Sequence, residues 1–326
     1  MIRKLAITAL TALAVASANS ALADTTKEIV LGIISTEATQ NLKQNWDPVV
    51  ADMQKKTGLK VTAFFAPDYA GIIEGMRFNK VHVAWYGNKS AIEAVDRASG
   101  EVFTQMVNAD GTQGYYSHLI VHKDSPINSL DDVLKNGKNY SFSNGDPNST
   151  SGFLVPSYYV FAQNKIDAKT HFKITRSANH ETNALAVANK QVDIATNNSE
   201  NLDKIKERFP DKFKDIKIVW SSPLIPLDPL VMRKDLPEAT KTKVKDFFYT
   251  YGKTESEKKV LWNLSKLSGF KPSSNAQLVP IRQLELFRDK TKIESDTKLT
   301  DAEKKVKVAE IDKKLAELNQ QLAMAK

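Results

Sequence analysis

The sequence predicts an α/β protein of two lobes with a cleft between them. Short β-rich runs alternate with helical patterns from Asp24 onward, an order that builds βαβ units and a parallel sheet. The chain has 326 residues, whereas a single hydrophobic core stops growing at about 250–300 residues. The stretch from Trp220 to Met232 carries Pro223, Pro226 and Pro229. That proline density argues against a helix or a central strand and suits a hinge crossing between two bodies.

The N-terminus reads as an export leader. Arg3 and Lys4 precede an apolar run from Leu5 to Val15, and Ala21-Leu22-Ala23 forms a small-residue cleavage site. Residues 1–23 are therefore assigned to a signal peptide. The run is too short for a bilayer, which needs about 20 apolar residues. The absence of cysteine excludes disulfides, thiolate metal sites and a lipid-modified N-terminus. Together these features place the expected product in the periplasm. Loss of the leader removes two positives and no acids, lowering the formal net charge from +8 to +6. The lysines are scattered or paired with acids, without the aromatic interleaving of single-strand binders, so nucleic acid is not an expected partner. A mildly positive field suits the attraction of small anions.

The elements follow in order. Glu28–Ile33 reads as a buried strand. From Asn41 to Thr57, Trp46, Val49, Val50 and Met53 recur at helical spacing, and Gly58 is the stop. Leu59–Phe65 is a second strand, Ala70–Phe78 a second helix and Val81–Trp85 a third strand. Asn79-Lys80-Val81-His82-Val83-Ala84 is echoed by Asn189-Lys190-Gln191-Val192-Asp193-Ile194-Ala195, each after a helix and before a polar turn. Crossings are expected at Ser117–Val121 and within Trp220–Met232. They divide the chain into a first lobe of 24–118 plus 229–290 and a second lobe of 119–228. Residues 291–326 form a lysine- and glutamate-rich segment without Gly or Pro. In it Val308, Ile311, Leu315, Leu318, Leu322 and Ala325 make a heptad-like seam behind a capping box at Thr300–Glu303. This long C-terminal helix either lies on the chain's own body or pairs two copies into a homodimer.

The most informative stretch is Asp146-Pro147-Asn148-Ser149-Thr150-Ser151-Gly152. A strand at Tyr140-Ser141-Phe142 runs into a hydroxyl-rich turn that opens a helix. Free N–H groups at a helix start attract anions, although the same pattern also describes an ordinary capped helix. Pro156, inside that helix, is expected to kink it. No Walker lysine is present, so this is not a nucleotide loop. Tyr69 at another helix start and the pair Tyr115-Tyr116 before the first crossing are placed to border a cleft, or else are tyrosines at loop edges. His180 opens a third helix and can donate to an anion. Glu200 and Asp228 are each ordinary solvated carboxylates if alone; together on a cleft rim they would recognise a cation. No G-x-S-x-G, G-x-G-x-x-G or H-E-x-x-H motif occurs, and histidines 82, 118, 122, 171 and 180 are dispersed. No enzyme, cofactor or metal site is expected.

At these residues the sequence resembles the phosphonate-binding periplasmic proteins of ABC-type uptake systems. The resemblance covers essentially the whole mature chain. It is carried by Pro67 through Arg77, Val83-Ala84-Trp85-Tyr86-Gly87, Gly114-Tyr115-Tyr116-Ser117-His118, Asp146 through Gly152, and His180 through Glu200. It implies a two-lobed periplasmic binding protein fold of type II, with the ligand cleft between the lobes. It also implies phosphonate contacts from Ser149, Thr150, Ser151, Tyr116 and His180, with Tyr69 nearby, and carboxylates at Glu200 and Asp228 for a ligand ammonium. The implied ligand is 2-aminoethylphosphonate or a related alkylphosphonate, and the implied partner is an inner-membrane ABC permease. The alternatives are a phosphate- or phosphite-binding protein, which needs no cation subsite, and an exported phosphoesterase using His180 and Glu200 as acid and base.

Overall fold

The structure, a computed structural model, describes residues 27–324; the leader assigned to 1–23 and the last seam position, Ala325, lie outside the described residues. In chain order the strands are β1 (Glu28–Ile33), β2 (Lys60–Phe65), β3 (Val83–Trp85), β4 (Gly100–Asn108), β5 (Gly114–Tyr115), β6 (Ser117–His122) and β7 (Ser141–Asn144). Then follow β8 (Ile174–Ser177), β9 (Ile194–Asn198), β10 (Ile216–Ser221), β11 (Ile225–Pro226), β12 (Pro229–Arg233) and β13 (Leu267–Pro272). They form one sheet in each lobe: β13-β4-β12-β3-β1-β2 in the first and β10-β6-β9-β7-β8 in the second.

The opening βαβαβ order behaves as its apolar pattern dictates. β1 pairs in parallel with both β2 and β3. The helix Thr39–Thr57 buries Trp46, Val49 and Met53 and ends at Gly58, whose φ of 68° is the left-handed conformation glycine adopts freely. The sheet is nevertheless mixed, not all-parallel as the sequence pattern suggests. β12 arrives from the other lobe and runs antiparallel to β3 and β4, and β13 runs antiparallel to β4. The proline argument also needs correction: β12 is a central strand. Pro229 is its first residue, where the ladder asks for no N–H, while its carbonyl accepts the Tyr86 N–H at 3.2 Å.

The first crossing lies earlier than expected. Ser117–Val121 belongs to β6, a strand of the second sheet buried on both faces. Leu119 and Val121 enter one apolar cluster and Ile120 the other. The chain passes between lobes through residues 109–116 and 222–228, and these two segments pair as the short antiparallel ladder β5–β11. The repeated helix–strand plan is real at the backbone. Asn79 (φ 60°) and Lys190 (φ 58°) each make a left-handed turn after a helix. The next amide in each case bonds back five residues, Lys80 to Gly75 and Gln191 to Ala186, both at 2.8 Å.

At the C-terminus the chain forms two helices, Val279–Ser295 and Asp301–Met324, rather than one from 291. Thr300 and Glu303 make the capping box: the Thr300 hydroxyl accepts the Glu303 N–H at 3.3 Å, and the Glu303 carboxylate accepts the Thr300 N–H at 2.8 Å. Ile311, Leu315 and Leu318 of the seam are buried, and the last helix packs along the preceding one. Lys290–Asp312 (2.6 Å) and Gln283–Asn319 (2.8 Å) flank this contact. Within one chain, therefore, the seam lies on the protein's own body.

Candidate functional site

Strand ends and helix starts converge where the two sheets face each other, the usual place for a ligand in open α/β sheets. The cavity there is small, about 30 Å³. Seven of the eight candidate residues line it: Tyr69, Ser149, Thr150, Ser151, His180, Glu200 and Asp228. Tyr116 does not. Neighbouring residues of an extended chain point to opposite sides, so only one of Tyr115 and Tyr116 can turn inward. Tyr115 does, while Tyr116 stays exposed, stacks on His118 and exchanges backbone contacts with Ser199.

One wall presents unpaired hydrogen-bond donors. Ser149 caps its helix by accepting the Gly152 N–H at 2.9 Å, while the amides of Thr150 and Ser151 have no partner among the described residues. Pro156 shapes this turn. It lacks the N–H that would bond the Gly152 carbonyl in an α-helix, and that carbonyl instead accepts from Gly145 N–H and Thr196 Oγ1, each at 2.8 Å. The residues Thr150–Leu154 consequently wind as a wider π-helical turn, with the Leu154 N–H reaching back to Ser149 at 3.1 Å. The expected kink is thus a widened turn. A second helix start, Asn88–Arg97, comes from the opposite lobe. Its N-cap is Gly87, where a Cβ would sit 3.0 Å from Thr150 Oγ1, and the Lys89 N–H donates to that oxygen at 2.9 Å.

His180 Nε2 lies 3.5 Å from Ser149 Oγ and 3.3 Å from Asn198 Nδ2, and Nδ1 is buried without a partner. Burial, with the charge of Lys204, lowers its pKa to about 4. The ring is therefore neutral at pH 7, and any hydrogen bond it donates to an anion comes from a neutral imidazole. Tyr69 N–H crosses to Asp146 Oδ2 at 3.1 Å, and burial holds its phenol well above the usual range, so it remains a donor.

The other end is acidic. Asp228 is buried between the Trp85 indole (3.0 Å) and the Tyr115 hydroxyl (3.3 Å). Burial and the nearby Glu200 charge hold its carboxyl well above the usual carboxylate range, against those two hydrogen bonds. Burial pushes Glu200 up to about 7; Lys204 opposes this and Asp203 adds to it. Neither carboxylate has an ion-pair partner among the described residues, because Lys204 is held by Glu37 at 2.7 Å. Trp85 and Asn198 fall in stretches that carry the resemblance without having been assigned to the site, and Asn201 and Ser265 were not singled out; all four line the cavity. The polar turn at Asn197-Asn198-Ser199 was a further signal for Asn198. Among the described residues no side-chain group could hold a metal ion, and no helix is long and apolar enough to cross a membrane.

Contacts between the lobes border the cavity. Glu37 of the first lobe, fully buried, pairs with Lys204 and Arg208 of the second. Burial alone would raise its pKa, but the two cations outweigh that and hold it below the usual range. Glu181 of the second lobe accepts from Ala38 N–H (3.3 Å) and Asn41 Nδ2 (2.8 Å) of the first.

The family model described as "ABC transporter, phosphonate, periplasmic substrate-binding protein" matches residues 31–278. The phosphonates-binding periplasmic protein of Escherichia coli strain K12 is 62% identical over 281 residues, 86% of this chain and 82% of that one. A crystallised binding protein component of an ABC phosphonate transporter from Pseudomonas aeruginosa is 53% identical with a TM-score of 0.90, covering 92% of this chain and 99% of that one. The Prochlorococcus marinus protein PhnD1, solved with methylphosphonate, has a TM-score of 0.71 at 21% identity, covering 80% of this chain and 97% of that one, a likeness of fold.

Proposed function

This chain belongs to the periplasmic phosphonate-binding proteins of ABC transporters, and on that premise we propose that its cleft selects an aminoalkylphosphonate, foremost 2-aminoethylphosphonate. It is a periplasmic binding component with the type II fold, not an enzyme, and it works with the membrane components of its transporter. In this reading the phosphonate sits on the amides of Thr150 and Ser151. The hydroxyls of Ser149, Thr150, Ser151 and Tyr69 add donors, and His180 stands beside Ser149. Directed bonds to an anion are shorter and roughly twice as strong as neutral ones. The two crossing segments act as a hinge, and only the closed arrangement offers the ligand donors from both lobes.

The observation that carries the choice of ligand is the pair Glu200 and Asp228, buried at the far end without a protein cation. A ligand ammonium would neutralise them. A plain alkylphosphonate would leave both carboxyls buried without a cation in the closed cleft, sharing a proton, and forgo the charge-assisted contact, at a cost of about 2 kcal/mol, or roughly 30-fold in affinity. Phosphate and phosphite should be weaker for the same reason. Calorimetric titration of the mature protein with 2-aminoethylphosphonate, n-propylphosphonate, methylphosphonate and phosphate tests this. The expected order puts the amine-bearing ligand first by at least that factor. Equal affinity for the amino and propyl ligands would remove the cation subsite.

A further inference from the structure

The acidic end of the cavity shares its lining with a second depression. Tyr115, Glu200, Lys204 and Ser265 line both the cavity and an adjoining groove of about 390 Å³. Three exposed large apolar side chains among the described residues gather in that groove: Trp262 (54% exposed), Leu224 (48%) and Tyr116 (43%). They come from the first lobe and from the two crossing segments, and the helix Ser199–Arg208 of the second lobe supplies the facing side. The groove is also acidic within a basic chain of net charge +8. Asp203 and Glu207 are bridged by Lys266 at 2.7 and 3.5 Å, whereas Asp110 and Glu200 have no ion-pair partner among the described residues.

We infer that this groove is an outer subsite for a substituent on the ligand's nitrogen, so that N-alkylated aminoalkylphosphonates are ligands of this protein. The inference rests on the proposed seat of the ammonium between Glu200 and Asp228. A secondary amine keeps its positive charge there and sends its substituent past Tyr115 and Ser265 into the groove. Apolar atoms leave water against Leu224 and Trp262, and the cation lies near aromatic faces. The recognised class is a phosphonate at one end, a protonated secondary amine in the middle and an apolar or aromatic group outside.

The test uses the mature protein, three titrants and one variant. The titrants are 2-aminoethylphosphonate, its N-methyl derivative and its N-benzyl derivative; the variant is Trp262→Ala, which touches the groove alone. The N-benzyl ligand should bind wild type within about tenfold of the parent. Trp262→Ala should weaken N-benzyl by about fivefold to tenfold, in the range of a lost aromatic contact, and leave the parent unchanged. If the parent binds but N-benzyl does not, the outer subsite is rejected while the cation reading stands. Equal response of both ligands to Trp262→Ala also rejects it. If the parent itself binds no better than n-propylphosphonate, the cation reading fails and takes this inference with it.

Discussion

Glu200 shows how burial changes the charge behaviour of an unremarkable acid. Its pKa of about 7 lies above the ordinary carboxylate value, and Asp228, Lys204 and Asp203 set the local charge beside it. An ammonium would pull that pKa down, so binding near pH 7 should release protons. The affinity ratio of 2-aminoethylphosphonate to n-propylphosphonate should therefore rise between pH 5.5 and 8, and Glu200→Gln should flatten the rise. Calorimetry in buffers of different ionisation enthalpy reads both effects. Glu200→Gln should also cut aminophosphonate affinity by roughly 30-fold while sparing methylphosphonate. The same shift has a stability consequence. A raised folded-state pKa means the native protein holds a proton that the unfolded chain has lost, so stability is present at low pH and lost as pH rises through about 7. Glu200→Gln should thus raise the melting temperature of the unliganded protein at pH 8 and change it little at pH 4.5. A change of equal size at both values would contradict the assigned burial. The type and spacing of Glu200 and Asp228 were visible in the sequence, but their mutual repulsion was not, because it arises only where the second crossing segment folds back against the helix that carries Glu200.

At the scale of the element, the helix start at Ser149 shows how local chemistry prepares a surface. Ser149 holds the Gly152 amide and Pro156 widens the turn, which leaves the preceding amides of Thr150 and Ser151 free. Ser149→Ala should cost about 1 kcal/mol of stability, the usual worth of a cap, and weaken every phosphonate regardless of its amine. Parallel thermal melts and titrations check this, and a loss confined to amine-bearing ligands would contradict it. The C-terminal helix offers a separate case. Its seam is legible as a pattern of apolar positions, but the pattern could not say which surface it covers. Leu315 packs inside the chain, so Leu315→Ala should lower stability by about 2 kcal/mol or more and leave ligand affinity unchanged. The mixed direction of the first sheet was hidden for a similar reason. β12 reads locally as a proline-led extended segment, and only its entry from the second lobe makes it antiparallel.

Over the whole molecule, the lobes are held together by charges as well as by the cavity. Glu37 reaches across to Lys204 and Arg208 and is buried there, and Lys266 reaches across to Asp203 and Glu207. Removing one partner of a buried pair strands the remaining charge, at about 3–5 kcal/mol. Glu37→Gln should therefore shift the unliganded protein toward an open arrangement and reduce affinity for all phosphonates by a common factor of roughly tenfold or more. Small-angle scattering should show a larger radius of gyration that ligand restores. An unchanged radius together with unchanged affinity would show that the pair does not govern closure.

The alternation of strands and helices and the hydroxyl-rich helix start were determined by the sequence, because each depends on residues close together in the chain, and the presence of two lobes was legible in its length. Tertiary structure alone decided which tyrosine of the 115–116 pair faces the cavity, that His180 is neutral there, that Lys204 is occupied by Glu37, and that a groove opens beyond Ser265. These depend on what the second lobe brings against the first. Burial, charge coupling and the direction of a side chain across a gap are properties of two surfaces in contact, and no local pattern along one chain encodes them.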